Sequence, residues 1–478
     1  MSIEKNDDVR VRFAPSPSGY LHIGGARTAI FNWLFASQYN GKFLLRIEDT
    51  DEARSDEKMI SAIYDGLKWL GIDWDEEPVF QSQRLEKYHS ICQKLVEAGK
   101  AYYCYCTREE QAARNQDAFK YDGYCRNLSP EEIERREKEK NPRVVRFKVY
   151  AGKTYFKDIV HGSLTFDNDE IDDFIILRSD LKPTYHLAVV ADDFDMRISH
   201  VIRGDDHLTN TPKQVQIYQA LDWPLPKFAH VPLILGTDKK RLSKRHGAKS
   251  VSEYENEGYL SDAMVNFLAL LGWSPKGNQE ILSKQELISK FNLKGISKNS
   301  AIFDETKLNW MNGQYISQMA DADIYQALQS LMKTVDFIGS KRNDKGYILK
   351  AISLLKTRVK NLNDFFVLGY YFFKDPEQYE ENAVKKHWRD DELIERLEAA
   401  FSQLSNLDNF EENRIEETIR ALAEKQQLGA GKFIHPIRLA ITGFGVSPGL
   451  FELMACLGQD AVLRRIRKAI DWLLQNKE

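Results

Sequence analysis

The sequence predicts an α/β fold built on a parallel sheet, interrupted by an α+β insertion and followed by an all-α region. Three observations carry this reading. Strand-like and helix-like segments alternate over residues 9–98 and resume at 197. Between them, from about 100 to about 190, the texture shifts to a cysteine-bearing, highly charged stretch with isolated strand-like runs. Beyond about residue 325, apolar residues recur almost throughout at helical spacing. A chain of 478 residues holds three or four folding units at roughly 100–200 residues each.

Val9 to Ala14 (VRVRFA) alternates and reads as a strand, broken by Pro15, Pro17 and Gly19. Gly24, Gly25 and Ala26 follow, then a helix from Arg27 to Gln38 with Ile30, Phe31 and Leu34 on one face. Lys42 to Ile47 is a second strand, ending at the acidic cluster Glu48, Asp49 and Asp51. Residues 56–71 and 84–98 read as helices. Within the insertion, a charged helix near 130–140 precedes strand-like runs at Val144–Val149 and Phe174–Leu177. The α/β pattern resumes with a strand at Arg197–Ile202, a helix at Pro212–Ala220 and an apolar strand at His230–Leu235. In the last third, Leu349, Ile352, Leu355 and Val359 share a helix face. So do Leu393, Ile394, Leu397 and Phe401, then Ile415, Ile419 and Leu422, and Phe410 to Gln426 lacks Pro and Gly.

Composition narrows the class. Hydrophobic residues at 42% supply real cores, and charged residues at 29% describe a water-soluble surface rather than disorder. Met1 to Arg12 is polar and mixed in charge, unlike a signal peptide. No stretch approaches the ~20 apolar residues of a membrane span, so a cytoplasmic protein is expected. A net charge of −4 argues against a coat of basic surface. Nucleic acid would bind through local patches, of which Lys239–Lys249 and Arg464–Lys468 are two. Five cysteines form no secreted disulfide framework. Cys92 and Cys456 lie in amphipathic helical patterns as small hydrophobes.

Two segments carry the chemistry. In the first, Pro15 to Gly25 (PSPSGYLHIGG), a strand gives way to a small-residue turn that opens a helix. That geometry turns free backbone N–H groups and the positive helix end toward a ligand phosphate. His22 adds an imidazole beside it, and Gly24 and Gly25 allow close approach of a nucleotide. No Walker-type phosphate loop is present. The second is Lys240 to Gly247 (KRLSKRHG), after the apolar strand and a Gly236-Thr237-Asp238 turn. Its clustered cations suit a polyphosphate whose charge grows in a transition state. Taken singly, the first also fits a plain tight turn and the second a solvated basic loop.

Together, His22-Ile23-Gly24-Gly25 and Leu242-Ser243-Lys244-Arg245 resemble the HIGH and KMSKS sequences of class I aminoacyl-tRNA synthetases. The resemblance extends to Arg12–Pro17, Gly24–Ala29, Leu45–Asp51, Pro183–Ala188, Val201–Gly204 and Leu308–Gly313, which are similar to glutamyl-tRNA synthetases of bacterial type. It covers nearly the whole chain. It implies a Rossmann-like catalytic domain in two halves, 1–99 and 194–235, around an acceptor-stem-binding insertion at 100–193. A stem-contact region, 236–325, carries the KMSKS-like loop, and 326–478 is a helical anticodon-binding domain.

The implied activity is glutamate–tRNA ligation, using ATP with Mg2+, L-glutamate and tRNA-Glu, by an enzyme taken by default as a monomer. Arg12, Ala14, Ser16, Glu48, Tyr185 and Arg203 would line the glutamate pocket, guanidinium groups suiting its carboxylates and Glu48 its ammonium. Arg12 and Arg203 also fit structural ion pairs. His22, Gly24, Gly25, Asp206, Leu242, Ser243, Lys244 and Arg245 would bind ATP, with His22, Gly25 and Lys244 closest to the chemistry. Two departures stand out: Arg241 takes the place of the first lysine of the loop, and Asp205-Asp206-His207 replaces a more usual Glu-Asp-His.

In many relatives a histidine two places after the last cysteine completes a zinc site, and Asn127 stands there. Cys104, Cys106 and Cys125, with Tyr121 as a fourth ligand, would make four. Bound zinc and a degenerate site with reduced thiols both remain open. The competing functions are a glutaminyl-tRNA synthetase, whose anticodon region is built of β-barrels, and a catalytically silent tRNA-binding paralogue. For anticodon contacts, Arg438 and the Arg464–Lys468 patch are the candidates.

Overall fold

Short apolar strands, buried on both faces, form the frame of the first part of the chain. The computed structural model describes residues 8–51, 56–114, 121–139, 142–242, 249–336, 339 and 344–476. Strand β1 (Arg10–Phe13) runs parallel to β2 (Lys42–Ile47), with Val11 opposite Phe43, and β2 runs parallel to β3 (Val79–Phe80). The connection from β1 to β2 is helix α1 (Ile23–Gln38), whose Ile30, Phe31 and Leu34 are fully buried. Such parallel crossovers bury both faces of β2, from Phe43 to Ile47, Arg46 included.

The segment expected as an insertion holds β4 (Ala101–Cys104), β5 (Val144–Phe147), β6 (Lys153–Asp158), β7 (Gly162–Asp167) and β8 (Ile175–Leu177). Strands β4, β5 and β8 make an antiparallel sheet of their own. The β6–β7 hairpin does otherwise. It hydrogen-bonds, through β6, to the parallel pair β9 (His200–Gly204) and β10 (Lys227–Val231), giving the order β7-β6-β10-β9. Ser199, just before β9, donates its N–H to the Arg10 carbonyl at 2.9 Å and accepts from the Lys227 N–H, joining this group to β1.

Some elements differ from the sequence expectation for local reasons. The strand expected at Arg197–Ile202 begins only at His200, because Arg197 sits at φ 54 and turns the chain out of the helix Tyr185–Asp195. The run expected at His230–Leu235 is cut by Pro232, which lacks an N–H to donate. It becomes the end of β10 and a short β11 (Ile234–Leu235), paired with β12 (Ala301–Ile302).

The chain divides into two units, 1–256 with 261–305, and 257–260 with 306–478. The chain thus crosses between them three times. Among the described residues after Glu305, no strand is present. Helices Asp321–Met332, Lys345–Leu355, Leu393–Ser405, Glu412–Lys425, Gly431–Thr442 and Gln459–Gln475 pack around Leu328, Ile352, Leu397, Ile419, Ile437 and Ile466. No helix among the described residues is long and apolar enough to cross a membrane.

Candidate active site

The turn after β1 places His22 as the N-cap of α1: its backbone is extended, and its Nδ1 accepts the Gly25 N–H at 3.2 Å. A Cβ on residue 24 would meet the His22 ring at 3.1 Å, so Gly24 lets the imidazole fold over the helix start. The same turn pairs with a distant segment. His22 and Ser250 form an antiparallel bridge, and the Val251 N–H donates to the Leu21 carbonyl at 2.9 Å.

That pairing fixes one flank of the basic loop. On the other flank the chain reverses after β11. Gly236 N–H donates to the Lys240 carbonyl at 2.9 Å, and Leu242 N–H to the Ile234 carbonyl at 3.0 Å. Lys239 takes a left-handed φ of 61 to make the turn. Arg241 Nη2 then donates to Asp206 Oδ2 at 2.8 Å. Leu242 is half-buried, whereas Ser243, Lys244 and Arg245 lie outside the described residues.

At the carboxyl ends of β1, β2 and β9 the structure gathers Arg12, Glu48 and Arg203, the place where open α/β sheets hold ligands. Arg12 is clamped by Asp193, Nε to Oδ1 at 3.0 Å and Nη2 to Oδ2 at 3.2 Å. Arg46 donates to the same Asp193 at 2.6 Å and to Glu48 at 3.1 Å. Against the cost of burial, Arg12 and Arg46 hold the Asp193 carboxyl down at about 2. Burial pushes the Glu48 carboxyl up despite Arg46. Glu48 N–H donates to the Pro15 carbonyl at 3.0 Å, so the loop bearing half-buried Ala14 and exposed Ser16 runs beside it.

Arg203 has different company. It is buried, yet among the described residues no carboxylate pairs with it. Its Nη2 donates to Thr211 Oγ1 at 2.8 Å, its Nε to His230 Nε2 at 3.1 Å, and its Nη1 lies 3.5 Å from the Tyr185 hydroxyl. Burial and the nearby Arg12 lower its pKa. Tyr185 in turn hydrogen-bonds His207 Nδ1 at 2.8 Å. Burial and Arg203 keep His207 neutral by lowering its pKa to about 4.

Residues 8–310 match the family described as tRNA synthetases class I (E and Q), catalytic domain, and residues 323–470 match an anticodon binding domain. The chain belongs to the class I tRNA synthetases. "Glutamate--tRNA ligase 1" of Caldanaerobacter subterraneus subsp. tengcongensis is 47% identical over 476 residues, covering 98% of this chain and 99% of its own length. "Glutamate--tRNA ligase" of Moorella thermoacetica is 45% identical over 485 residues, with 98% and 99% covered. A crystal structure of a glutamate tRNA ligase from Elizabethkingia meningosepticum, in complex with its amino acid, superposes with a TM-score of 0.89 at 35% identity, covering 98% of this chain and all of that one.

In this synthetase the three insertion thiols converge. The sulfurs of Cys104, Cys106 and Cys125 lie within 4.8 Å of one another, the Cys106–Cys125 pair at 3.3 Å. The Tyr121 hydroxyl accepts the Cys125 N–H at 2.9 Å, and its oxygen lies 3.5 Å from Cys104 Sγ. Hydrogen bonds from Cys106 and Cys125 bring the Cys104 thiol well below its usual range. A tetrahedral ion with ~2.3 Å sulfur bonds needs sulfurs about 3.8 Å apart; the Cys106–Cys125 pair is closer than that, and all three sulfurs lie within 4.8 Å.

Within the helical unit a cleft of about 700 Å³ is lined by Lys386, His387, Arg389, Lys432 and His435. The rings of His387 and His435 stack at 4.6 Å, and Lys432 and Arg396 both reach Asp390. Arg438, on the same helix as His435, is half-buried, bonds Ser447 Oγ at 3.0 Å, and is crowded by Arg358, which with burial lowers its pKa. The Arg464–Lys468 patch is engaged locally. Arg464 and Arg465 pair with Asp375, Arg465 also bonds the carbonyls of Ile441 and Tyr371, and Lys468 bonds Pro376.

Sequence reasoning missed Asp193, Asp158, Thr211 and His230, all buried around the two arginines. The first had a visible signal. Two adjacent aspartates lie in the apolar helix sequence VVADDFD, and a buried carboxylate needs a cation.

Proposed function

We propose that this synthetase is a glutamate–tRNA ligase that activates glutamate with ATP and transfers it to tRNA-Glu. The observation that carries the reading is Arg203, a buried guanidinium with no carboxylate partner among the described residues, beside the Tyr185 hydroxyl. An isolated buried cation is costly unless an anion completes it. A substrate side-chain carboxylate does so, with paired charge-assisted bonds. Arg12, already clamped by Asp193, and Glu48 supply the border of the pocket, Glu48 facing the ammonium group. The full-length likeness to glutamate–tRNA ligases supports the same assignment.

A glutamate α-carboxylate oxygen attacks the α-phosphorus of ATP, which enters as its Mg2+ complex. The bond to the β-phosphate breaks and diphosphate leaves. Gly24, Gly25 and His22 at the helix start hold the phosphates from one side, and Lys244 with its neighbours neutralises the leaving diphosphate from the other. The terminal ribose hydroxyl of the tRNA then attacks the carbonyl carbon of the anhydride, releasing AMP. Side chains align and neutralise, and form no covalent bond.

Cys104, Cys106, Cys125 and Tyr121 would hold a structural Zn2+, which would stiffen the insertion; the convergence of the three sulfurs supports this. The basic cleft and Arg438 serve the anticodon arm. A glutaminyl-tRNA synthetase is disfavoured by the second unit, in which no strand is present among the described residues.

The test is ATP–diphosphate exchange, run with glutamate or glutamine and with or without bulk tRNA. Exchange with glutamate and not with glutamine is expected. If neither amino acid supports exchange in either condition, the chain is a tRNA-binding protein without ligase activity. Charging purified tRNA-Glu and tRNA-Gln side by side then defines the accepted tRNA.

A further inference from the structure

We propose that His230, held by Asp158, positions Arg203 for the substrate carboxylate while leaving the guanidinium charge unneutralised. This rests on the glutamate-binding role given to Arg203 above. The protons of the cluster follow one from another. A guanidinium has only donors, so His230 Nε2, 3.1 Å from Arg203 Nε, presents its lone pair. The imidazole proton therefore sits on Nδ1, which donates to Asp158 Oδ2 at 2.8 Å. Asp158 Oδ2 also accepts the His230 backbone N–H at 3.1 Å. Its Oδ1 takes the N–H groups of Val160 and His161 at 2.8 and 2.9 Å. Thr211 Oγ1 accepts from Arg203 Nη2 at 2.8 Å and lies 3.0 Å from His230 Nε2, so its hydroxyl either shares that lone pair with Arg203 or turns to the His207 carbonyl at 3.2 Å. Asp158 is 1% exposed, Arg203 5%, and His230 and Thr211 not at all. Burial lowers the pKa of His230, in keeping with a neutral ring.

The contrast with Arg12 gives the chemical sense. A carboxylate anchors Arg12 and cancels its charge. A neutral imidazole anchors Arg203 by one bond through its lone pair, where Asp193 gives Arg12 two, and brings no charge of its own. Asp158 stands one ring away, its own charge already met by three backbone N–H groups. Arg203 thus reaches the pocket oriented and still cationic. A carboxylate ligand completes it. A carboxamide of the same shape sets N–H against N–H and leaves the cation unpaired, which is how a buried site rejects a near-isostere.

The test is steady-state aminoacylation of tRNA by the full chain, varying glutamate, ATP and tRNA in turn. His230→Leu, which removes the acceptor, is expected to raise KM for glutamate about 10–100-fold. Its kcat and its KM for ATP and tRNA should stay within about three-fold, the mark of weakened ground-state binding. His230→Gln restores an acceptor near Nε2 and should recover to within about five-fold of the wild type. His230→Glu restores an acceptor too, but neutralises Arg203, and should bind glutamate no better than His230→Leu. Equal KM for the Gln and Glu variants, or a parallel fall in every parameter, overturns the proposal and leaves His230 a packing residue. Should His230→Leu fail to fold, the Gln–Glu contrast decides. Arg203→Ala separates the two levels. An unchanged KM for glutamate there sinks the role of Arg203 itself. A raised KM there, with normal values in His230→Leu and His230→Glu, sinks only the role of His230.

Discussion

Val251 donates its N–H to the carbonyl of Leu21 at 2.9 Å, one residue past the bridge between His22 and Ser250. The C-terminal flank of the basic loop is therefore stitched to the start of α1, while Arg241 ties the other flank to Asp206. In the proposed ATP site, Lys244 is the loop cation assigned to the leaving diphosphate. Lys244→Ala is expected to slow glutamate-dependent diphosphate exchange by roughly 10²–10³-fold, as for removal of other preorganised charge-stabilising groups. An exchange rate within three-fold of the wild type would count against the loop as part of the ATP site.

A methyl group at position 25 tests the helix start. A Cβ there would meet Leu21 and Phe13 at 3.4 and 3.5 Å, ordinary packing distances that the fold accepts. Replacing a helical glycine by alanine adds about 0.5–1 kcal/mol of stability. Gly25→Ala should melt at or above the wild-type temperature and yet show at least about ten-fold higher KM for ATP, because in the proposed ATP site the methyl would stand where phosphate meets backbone. An unchanged KM for ATP would move the nucleotide elsewhere.

Asp193 links the pocket to acid stability. Its carboxyl sits at about 2 when folded, below its ordinary unfolded value, because Arg12 and Arg46 outweigh burial. A lowered carboxylate stabilises the fold above the unfolded pKa and loses that contribution as pH falls through the folded one. The window is thus from about pH 4 to about pH 2, and the contribution roughly 2–3 kcal/mol. Asp193→Asn takes the carboxylate from buried Arg12 and leaves Arg46 to Glu48 and Asp192, and is expected to cost about 3–5 kcal/mol near neutral pH. Its stability should then vary less than the wild type's across that acidic window in urea titrations. Parallel curves would show that Asp193 is not the group responsible.

Metal content decides the thiol cluster. Protein purified without chelator should carry one zinc per chain by elemental analysis, and cobalt in its place should give thiolate charge-transfer bands. Cys104→Ser should abolish binding, whereas Tyr121→Phe should weaken it. A metal-free chain with three titratable thiols would identify a degenerate site instead.

The basic cleft of the second unit predicts a salt signature. Lys386→Ala and Arg389→Ala should weaken tRNA binding and reduce the salt slope by about one for each phosphate no longer neutralised. Arg465→Ala should instead destabilise the helical unit, since Arg465 is buried against backbone carbonyls. Unaltered tRNA affinity in the two cleft variants would leave Arg438 and other surfaces to carry the anticodon arm.

The α/β alternation and the helical last third were legible because β1, β2 and the late helices have clean periods and clear breaks. The β6–β7 hairpin was not, although Lys153–Asp158 alternates exposed and buried without error. Its outward face is Lys153, Tyr155 and Lys157, which lowers its apolar content below that of a sheet strand. Among site residues, those in local motifs stood out: His22, Gly25 and the basic loop. Arg12 and Arg203 were visible as residue types but not as opposites. Which arginine has a carboxylate and which an imidazole depends on Asp193 and His230, placed by strands and helices far along the chain. No local pattern encodes such a difference.

Residues 257–260 belong to the second unit, though the chain on both sides of them belongs to the first. The Tyr259 hydroxyl bonds Asn309, the Leu260 N–H reaches Asn312, and the Gly258 carbonyl accepts from Leu362. Cutting the gene after codon 305 would therefore not release a clean catalytic fragment. It would leave a four-residue thread stripped of its hosts, in the middle of the piece meant to stand alone. Anyone wishing to graft a foreign tRNA-reading module onto this enzyme has to carry that thread, and its docking partners, along with the graft.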